Sequence, residues 1–478
     1  MEIIPLKEAK RRARSGGSGP KPPRDSGAAS LVLDPRAPLV CAREFLMRRF
    51  TVDGRRTLHH HGGAFSAWSG THYPLVDEAE LRADLYDFLD DARRPGQGEL
   101  PFNPNRANVG DVLDALRAAS HLPSAVRAPA WLDGAADLPP SEIISCANGL
   151  LHLPSLELLP HSPDFFVPNA LPYDFEVNTT VPEGLLRFLE ALWPDDAEAI
   201  TTLQEMAGYF LAGDTSQQKI FLIVGPKRSG KGTIARLLTG MLGADNVAAP
   251  TLSSLAANFG LAPLIGRTLA IISDARLGAR TDQAAIAERL LSISGEDMAT
   301  VDRKHIDPWT GRLSARFLIL SNELPRIADT SGALASRFII LTLRRSFYGA
   351  EDPTLTGRLL SDLPGVLRWS IDGWARLRAR GHFLQPASSE EALRHLRDLA
   401  SAAGAFVREL CIVEPWREVA VTVLFDRWCD WCKTQGRDRH GTTQSFGRDL
   451  HTLIPTLEVS QPRDGGDRAR VYRGLGLR

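Results

Sequence analysis

The sequence predicts an α/β fold with a parallel sheet at its centre, a mixed α+β part before it and a smaller helix-then-strand part after it. Three apolar runs predict the sheet, at residues 219–224, 267–274 and 315–322. Each run has a continuously apolar centre of four or five residues, as strands buried on both faces have, and helical segments separate the runs. This order predicts parallel strands with helices on both faces of the sheet.

Length and composition indicate an ordinary globular protein of several domains. The chain has 478 residues, and at roughly 100–200 residues per domain this predicts two to four domains. Apolar residues make up 43% and charged residues 24% of the chain, close to the averages for soluble proteins. No apolar run approaches the 18 or so residues that cross a bilayer, and the N-terminus lacks the apolar segment of a secretory signal. We therefore expect a cytoplasmic protein without a membrane partner.

Net charge limits where nucleic acid could bind, and cysteine content indicates the redox compartment. A net charge of -1 excludes a uniformly basic surface, so any binding of nucleic acid must come from local patches. Two segments supply such patches, residues 7–24 and the arginine-rich stretch from Arg437 onward. The first is rich in Gly, Ser and Pro and is expected to be a disordered tail, either solvated only or also in contact with DNA. Five scattered cysteines do not form a disulfide framework and fit a reducing compartment.

The N-terminal part alternates helical and strand patterns. Residues 38–50, 78–93 and 109–120 have helical apolar spacing, whereas 57–76 and 143–159 alternate and turn as short strands do, with a tight-turn signal at Asn148-Gly149. Residues 181–212 are again helical in pattern. The consecutive His59, His60 and His61 point to alternate faces of a strand, which favours a strand-and-turn role over a metal site.

The C-terminal part, after residue 389, has short helical patterns followed by a strand pattern at 471–477. This ending is typical of winged-helix domains. Cys429 and Cys432 form a close pair, but a structural zinc site needs four ligands and the nearest further candidate is His440. We interpret the two cysteines as buried positions on a helix.

A Gly-rich loop directly follows the first apolar run and directly precedes a helical segment. It matches the phosphate-binding pattern G-x-x-x-x-G-K. In such a loop, backbone N–H groups turn inward onto phosphates, the helix N-terminus contributes a positive dipole, and the ammonium of Lys231 reaches the β- and γ-phosphates of ATP. The predicted nucleotide-binding residues are Gly225, Pro226, Lys227, Arg228, Ser229, Gly230, Lys231, Gly232 and Thr233.

One position of the loop departs from the common pattern. Gly232 stands where a Ser or Thr hydroxyl normally binds Mg²⁺, and Thr233 follows one residue later. Thr233 is therefore the candidate hydroxyl ligand, and the direct metal ligand stays open. The GKGT ending also occurs in nucleoside monophosphate kinases, so the loop alone does not separate a small kinase from a motor.

Two polar residues close the other apolar runs. Asp274 ends the second run, where a Walker B carboxylate lies near Mg²⁺ and the attacking water. The usual second carboxylate is absent, since Ala275 and Arg276 follow, so the general base stays unassigned. Asn322 ends the third run and, as both donor and acceptor, suits a sensor of the water near the γ-phosphate.

The order of these motifs resembles that of superfamily 3 helicases, most closely the helicase half of phage and plasmid primase-helicases of the satellite-phage type. The resemblance rests on GPKRSGKGT, IISDA, SGEDMATVDRKH, FLILSNELPRI and ASRF in succession. Upstream, residues 147–175 and 203–213 resemble a poxvirus-type N-terminal domain, and downstream FDRWCDWC and RVYRGLGL are similar to a winged-helix ending. The resemblance covers roughly residues 40–478.

The resemblance implies an AAA+ fold, ATP with Mg²⁺, and a hexameric ring that unwinds DNA with 3′ to 5′ polarity during phage, prophage or plasmid replication. It implies catalytic roles for Lys231, Asp274 and Asn322, and an arginine-finger role in the neighbouring subunit's site for Arg337. It also implies a pore hairpin that contacts single-stranded or forked DNA. The residues of that hairpin are Arg303, Lys304 and His305.

The implied domain organisation leaves no room for a primase within this sequence, so we expect any primase or origin-binding protein to be a separate partner. The expected parts are a basic tail (1–38), a poxvirus-type N-terminal domain (39–200), the ATPase domain (201–350), a helical linker or lid (351–390) and a winged-helix-like DNA-binding domain (391–478).

Two alternatives to a helicase stay open. In the first, the ATPase loads or remodels a replication or packaging partner without unwinding DNA. In the second, Gly232 and the missing second carboxylate mark a degenerate site that binds ATP without hydrolysing it.

Overall fold

The computed structural model describes residues 31–96, 100–134, 138–275, 281–304, 306–325, 327, 329, 332–436, 440–461 and 470–478, and only the backbone of residues 306 and 307. Residues 1–30 of the expected basic tail lie outside this part of the chain. So do His305 of the expected DNA hairpin, Arg276, and residues 437–439 and 462–469 of the arginine-rich C-terminal stretch.

The N-terminal part is a mixed α+β unit, as predicted. Its helices pack around a core that includes Phe45, Leu85 and Val112. Side chains cap two of the helix starts, since Asp77 accepts from the Ala79 amide and Asn105 forms a capping box. The elements are α1 (Pro38–Arg49), β1 (Thr51–Val52), β2 (Arg55–Arg56), β3 (Leu58–His61), β4 (Ala64–Ala67), β5 (Leu75–Val76), α2 (Glu78–Asp90) and α3 (Arg106–Ala119).

A second group of strands follows, and two helices lead from it to the central sheet. The strands pair as antiparallel ribbons, and the predicted turn at Asn148 joins two of them. The helical pattern of 181–212 forms two helices because Pro194 lacks an amide hydrogen and cannot continue the first one. These elements are β6 (Ala130–Trp131), β7 (Ile143–Cys146), β8 (Gly149–His152), β9 (Glu157–Leu159), β10 (Phe165–Phe166), α4 (Glu183–Leu192) and α5 (Ala197–Leu211).

The central sheet is parallel, and its five strands among the described residues have the order β12-β13-β16-β11-β17. The three predicted runs form β11, β13 and β16, with the third beside the first. The short strand β12 was not predicted. The elements of this region are β11 (Ile220–Val224), α6 (Lys231–Leu242), β12 (Val247–Ala248), α7 (Leu252–Leu255), β13 (Leu269–Ile272), α8 (Gln283–Ser294), β14 (Met298–Arg303), β15 (Ile306–Arg312), β16 (Arg316–Ser321), α9 (Ala333–Arg337) and β17 (Phe338–Thr342).

Two further helices, α10 (Leu355–Leu360) and α11 (Leu363–Arg380), pack on the central core. A Cβ atom on Gly208 of α5 would lie 2.3 Å from the carbonyl oxygen of Ser370, so glycine allows α5 and α11 to approach closely. At the same interface the buried carboxylate of Glu205 pairs with Arg376 and Arg380. The segment expected as a linker or lid is thus joined to the main core, and the boundary expected after residue 200 falls inside α5.

The C-terminal unit has its own core, which includes Phe406, Trp428 and Leu450. Leu396, on the preceding helix α12 (Glu390–Ala400), packs instead in the core of the central sheet, so the separate core of this unit starts after α12. The elements of the unit are α13 (Ala402–Leu410), β18 (Cys411–Ile412), β19 (Glu418–Ala420), α14 (Val421–Thr434), α15 (Thr443–Leu453), β20 (Glu458–Ser460), β21 (Val471–Arg473) and β22 (Gly476–Leu477).

Cys429 and Cys432 both lie on α14, as predicted, but only Cys432 is buried, whereas Cys429 is half-buried. Among the helices of the described residues, none combines the length and the apolar character that crossing a membrane requires.

Candidate functional site

The Gly-rich loop occupies the carboxyl edge of the central strand β11. The strand ends at Val224 and the helix α6 begins at Lys231, as predicted. The Gly225 amide donates to the carbonyl oxygen of Ser321 on the adjacent β16 at 3.2 Å. A Cβ atom at position 225 would lie 2.7 Å from the Cβ of Leu343, so the first glycine is required by the chain that leaves β17.

The second glycine of the loop is required by its conformation and its neighbour. Gly230 has φ of 95°, and a Cβ atom there would lie 2.6 Å from a methyl group of Leu192 at the end of α4. Arg228 also has a positive φ, 58°, which costs a non-glycine residue conformational energy. The Phe347 amide donates to the Arg228 carbonyl oxygen at 2.9 Å and so holds this turn in place.

Lys231 lies inside the curve of the loop. Its Nζ donates to the carbonyl oxygens of Gly225 at 2.6 Å and Pro226 at 2.7 Å, and to Oγ of Ser229 at 3.2 Å. Partial burial lowers the pKa of the Lys231 ammonium group. The ammonium is therefore held by neutral oxygens, which an incoming anion could replace with a stronger charge-assisted contact.

The position after Lys231 lacks a hydroxyl, and the next hydroxyl has a cationic neighbour. Gly232 is exposed, and Nη2 of Arg236 lies 3.4 Å from Oγ1 of Thr233 as a donor. A divalent cation bound at Thr233 would need this guanidinium to move away. Arg236 was not predicted at this site. A spacing of three residues on a helix places Thr233 and Arg236 near each other but does not show that the guanidinium points at the hydroxyl.

Asp274 and Asn322 lie at the same edge of the sheet as the loop. Ser321 pairs with Val224, so Asn322 follows directly beside Gly225. Ile272 pairs with Ile319, which places Asp274, two residues beyond the end of β13, level with Ser321. Both side chains are exposed. The sheet thus brings Lys231, Asp274 and Asn322 to one edge.

A large open cleft adjoins the loop. It has a volume of about 1360 Å³, and Lys227 to Thr233 and Asn322 line one side of it. The opposite wall comes from α4 and α10 and is partly apolar, with Leu185, Phe188 and Leu359. Sequence patterns identified α4 as a helix but not as a wall of this cleft, because its place beside the loop depends on tertiary packing.

Arg337 lies at the opposite edge of the sheet from the loop. It ends α9 directly before Phe338, which pairs with Ile220 at the start of β11. Its Nη1 donates to the Leu291 carbonyl oxygen at 2.7 Å and to Oγ of Ser294 at 2.8 Å, at the C-terminus of α8. The strand length between Ile220 and Val224 is roughly 13 Å at about 3.3 Å per residue. Arg337 is therefore remote from the loop of its own chain.

Arg303 and Lys304, two of the residues expected to contact DNA, lie at the turn between β14 and β15, which form an antiparallel hairpin. Lys304 is exposed at the turn. Arg303, in contrast, donates from Nη2 to the Gly63 carbonyl oxygen at 2.6 Å, in the N-terminal part of the chain. His305 lies outside the described residues.

The three consecutive histidines lie on β3, as predicted. His59 is buried against the rings of Tyr73 and Phe166, and this burial lowers its pKa to about 4. No group of three His, Cys, Asp or Glu side chains suited to a metal ion occurs among the described residues.

Comparison with known proteins supports the division of the chain into a known N-terminal type and a central sheet. Residues 44–194 match the family described as D5 N terminal like, which confirms the predicted resemblance of the N-terminal part at this level. Residues 223–337, which contain the loop, Asp274, Asn322 and the hairpin, match a family of unknown function, DUF5906.

One solved structure shares the fold over nearly the whole chain. The A form apo structure of the NrS-1 C terminal region aligns over 92% of this chain and 100% of that chain, with a TM-score of 0.50 and 11% sequence identity. The apo structure of the same region aligns over the same shares with a TM-score of 0.46. At this identity the first likeness shows a common fold.

The fold and the site together define an α/β protein with a Gly-rich loop, a carboxylate and an amide at the carboxyl edge of a parallel sheet. Its N-terminal part, residues 44–194, is similar to the family described as D5 N terminal like.

Proposed function

We propose that this chain is an ATP-hydrolysing, ring-forming DNA helicase of the AAA+ type, with 3′ to 5′ polarity, that serves the replication of phage, prophage or plasmid DNA. One observation carries the proposal most strongly: Lys231 and Asn322 line one cleft, with Asp274 at the same edge of the sheet. Ligands of parallel α/β sheets bind outside the carboxyl ends of the strands, which is where these side chains lie.

The loop and the cleft suit a nucleoside triphosphate. The N-terminus of α6 directs amide groups and a positive dipole at the loop, and Lys231 can transfer its hydrogen bonds from loop carbonyl oxygens to phosphate oxygens. The cleft volume of about 1360 Å³ exceeds the roughly 300–1,000 Å³ usual for small-molecule sites, so an entire nucleotide fits. Phe188 and Leu359, which are nearly buried, make this wall of the cleft apolar.

The oxygen donors at this edge fit Mg²⁺, which prefers carboxylate and hydroxyl oxygens together with phosphates. Asp274 and Thr233 are the protein groups that would hold the ion, provided that Arg236 turns away from Thr233. The ion would neutralise charge on the phosphates. Asn322 can accept from and donate to a water molecule near the γ-phosphate, whereas the general base stays unassigned.

A ring is the arrangement in which Arg337 could act. Arg337 lies at the edge of the sheet opposite its own loop, so it can reach a γ-phosphate only in another subunit. In a hexamer this arginine would stabilise transition-state charge in the neighbouring site, as arginine fingers do. The hairpin would then contact the backbone of a single strand through the exposed Lys304.

Two assays with the full chain test the proposal. The first measures phosphate release from ATP with and without single-stranded DNA. The second measures strand displacement on forked duplexes with a 3′ or a 5′ loading tail. We expect hydrolysis that DNA stimulates, and displacement only with the 3′ tail. Hydrolysis without displacement would favour the ATPase that remodels a partner, and ATP binding without hydrolysis would favour the degenerate site. Displacement with only the 5′ tail would refute the polarity.

A further inference from the structure

The β-turn between β3 and β4 contacts the β14–β15 hairpin, although about half the chain separates them. The two-residue turn Gly62-Gly63 joins the strands, and its Gly63 carbonyl oxygen accepts the 2.6 Å hydrogen bond from Arg303 Nη2. Ala64, the residue after the turn, is buried in the same apolar cluster as Val301 and Trp309 of the hairpin. The contact thus combines a charge-assisted hydrogen bond with apolar packing.

Both glycines of the turn are required by conformation and by space. Gly62 and Gly63 have φ of 57° and 78°, as in the type I′ turns that join two antiparallel strands through a two-residue loop. A Cβ atom on Gly62 would lie 2.9 Å from Nε1 of Trp309, and one on Gly63 would lie 3.1 Å from the carbonyl oxygen of Pro308. The turn therefore fits against β15 only without side chains.

One face of the β14–β15 hairpin is buried, and this face includes the residues that pack near the Gly62-Gly63 turn. On β14 the side chains alternate, with Ala299 and Val301 buried and the intervening residues exposed. The indole of Trp309 is 8% exposed. One face of the hairpin is thus packed against the protein, and Lys304, which directly follows β14, is exposed.

We propose that the Gly62-Gly63 turn is a positioning contact for the hairpin, and that Arg303 serves this contact while Lys304 is left to bind the DNA backbone. This inference rests on the proposed function of the hairpin. The turn belongs to the part matched by the D5 N terminal like family and the hairpin to the part matched by DUF5906. The contact therefore links the position of the DNA-binding turn to the N-terminal part of the same chain.

The chain contains a matched control for a substitution in the turn. Gly54, in the turn between β1 and β2, has φ of 77°, against 78° for Gly63, but a Cβ atom there would meet nothing within 4 Å. Gly54→Ala and Gly63→Ala therefore cost nearly the same backbone strain. Only Gly63→Ala also presses on the hairpin. The difference between the two variants isolates the contact from the strain.

The experiment compares these variants in the full chain by hydrogen exchange of the amides of Met298–Arg312 and by the stimulation of ATP hydrolysis by single-stranded DNA. We expect Gly63→Ala to speed exchange in the hairpin and to lower the stimulation by DNA, at unchanged hydrolysis without DNA. Gly54→Ala should change neither. Arg303→Met, which imposes no backbone strain, should speed hairpin exchange about three- to tenfold, the effect of losing one hydrogen bond.

Equal effects of Gly63→Ala and Gly54→Ala on hairpin exchange and DNA stimulation would overturn the inference. Should Gly63→Ala fail to fold, unchanged hairpin exchange in Arg303→Met would overturn it instead. The proposed function is tested separately by Lys304→Ala. If Lys304→Ala removes DNA stimulation but Gly63→Ala does not, the hairpin binds DNA and the positioning contact is wrong. If Lys304→Ala leaves DNA stimulation intact, the DNA role of the hairpin fails and the inference fails with it.

Discussion

The cationic side chains at the two edges of the central sheet differ in exposure and in their hydrogen-bond partners. At the carboxyl edge, Lys231 lies in an open loop beside a cleft, with Asn322 and Asp274 exposed near it. At the amino edge, Arg316 is 5% exposed, and its Nη2 donates to the carbonyl oxygens of Ala212 and Asp214 at the end of α5. Arg337 is bound in the same manner at the end of α8.

This difference follows from the direction in which the strands and helices run. Parallel strands and their helices place helix N-termini at the carboxyl edge and helix C-termini at the amino edge. N-terminal amide groups attract anions, whereas C-terminal carbonyl oxygens bind cations of the protein itself. Arg316 therefore anchors the end of α5 to the sheet, Arg337 caps α8 in the single chain, and the carboxyl edge stays available to a charged ligand. The following predictions test this comparison, beginning with the largest expected effect.

Lys231→Ala should lower the rate of ATP hydrolysis by about 10²–10³-fold or more, because it removes a cation that stabilises transition-state charge. Lys227→Ala, in the exposed part of the same loop, should cost much less. Phosphate release and thermal unfolding of both variants provide the measurement. Near-normal turnover in Lys231→Ala would contradict the assignment of the loop as an ATP site.

Arg316→Leu should lower the free energy of unfolding by about 1–3 kcal/mol, since it leaves one buried and one partly buried carbonyl oxygen without their donor. Arg312→Leu, at an exposed position on the neighbouring β15, should have little effect. Denaturant unfolding of both variants measures the difference. An Arg316→Leu protein of unchanged stability would break the proposed contrast, because the amino-edge arginine would then not act as an anchor.

Arg337→Ala should reduce hydrolysis, yet mixing it with Lys231→Ala should restore part of the activity. In mixed rings some interfaces pair an intact loop with an intact Arg337. The measurement is phosphate release as a function of the mixing ratio, with assembly followed by light scattering. If mixed rings form and recover nothing, Arg337 acts only as the cap of α8 that its hydrogen bonds describe.

Lys304→Ala should flatten the salt dependence of single-strand binding, because each lost phosphate contact lowers the log-log slope by about 0.7. Arg312→Ala, at the base of the same hairpin, should leave the slope nearly unchanged. Oligonucleotide binding at several salt concentrations measures both slopes. An unchanged slope in Lys304→Ala would place the translocating contact elsewhere.

Local patterns predicted most of the elements correctly, because their causes are local. Continuous apolar runs marked β11, β13 and β16, and turn residues marked the small strands before them. The strand β12 was not predicted because a strand of two residues shows no periodicity. The break between α4 and α5 was missed although Pro194 signals it, because apolar spacing resumes directly after it.

Contacts between distant segments were not predictable in the same way. Arg303 and Gly63 are 240 positions apart, and no local pattern in either segment indicates that they make contact. Arg316 occupies an ordinary place in an apolar run, and only the end of α5 explains its burial. The close packing of α5 on α11 was not predictable for the same reason, since it depends on Gly208 meeting Ser370.

Local patterns predict the loop from Gly225 to Thr233, the strand before it and the helix after it, since glycine torsions and apolar periodicity act within a few residues. Long-range packing places Asn322 beside Gly225, Arg337 at the opposite edge from its own loop, and the Gly62-Gly63 turn against the hairpin. The physical reason is that strand order and packing follow from burial of apolar surface over the whole chain, a non-directional force that no short segment specifies.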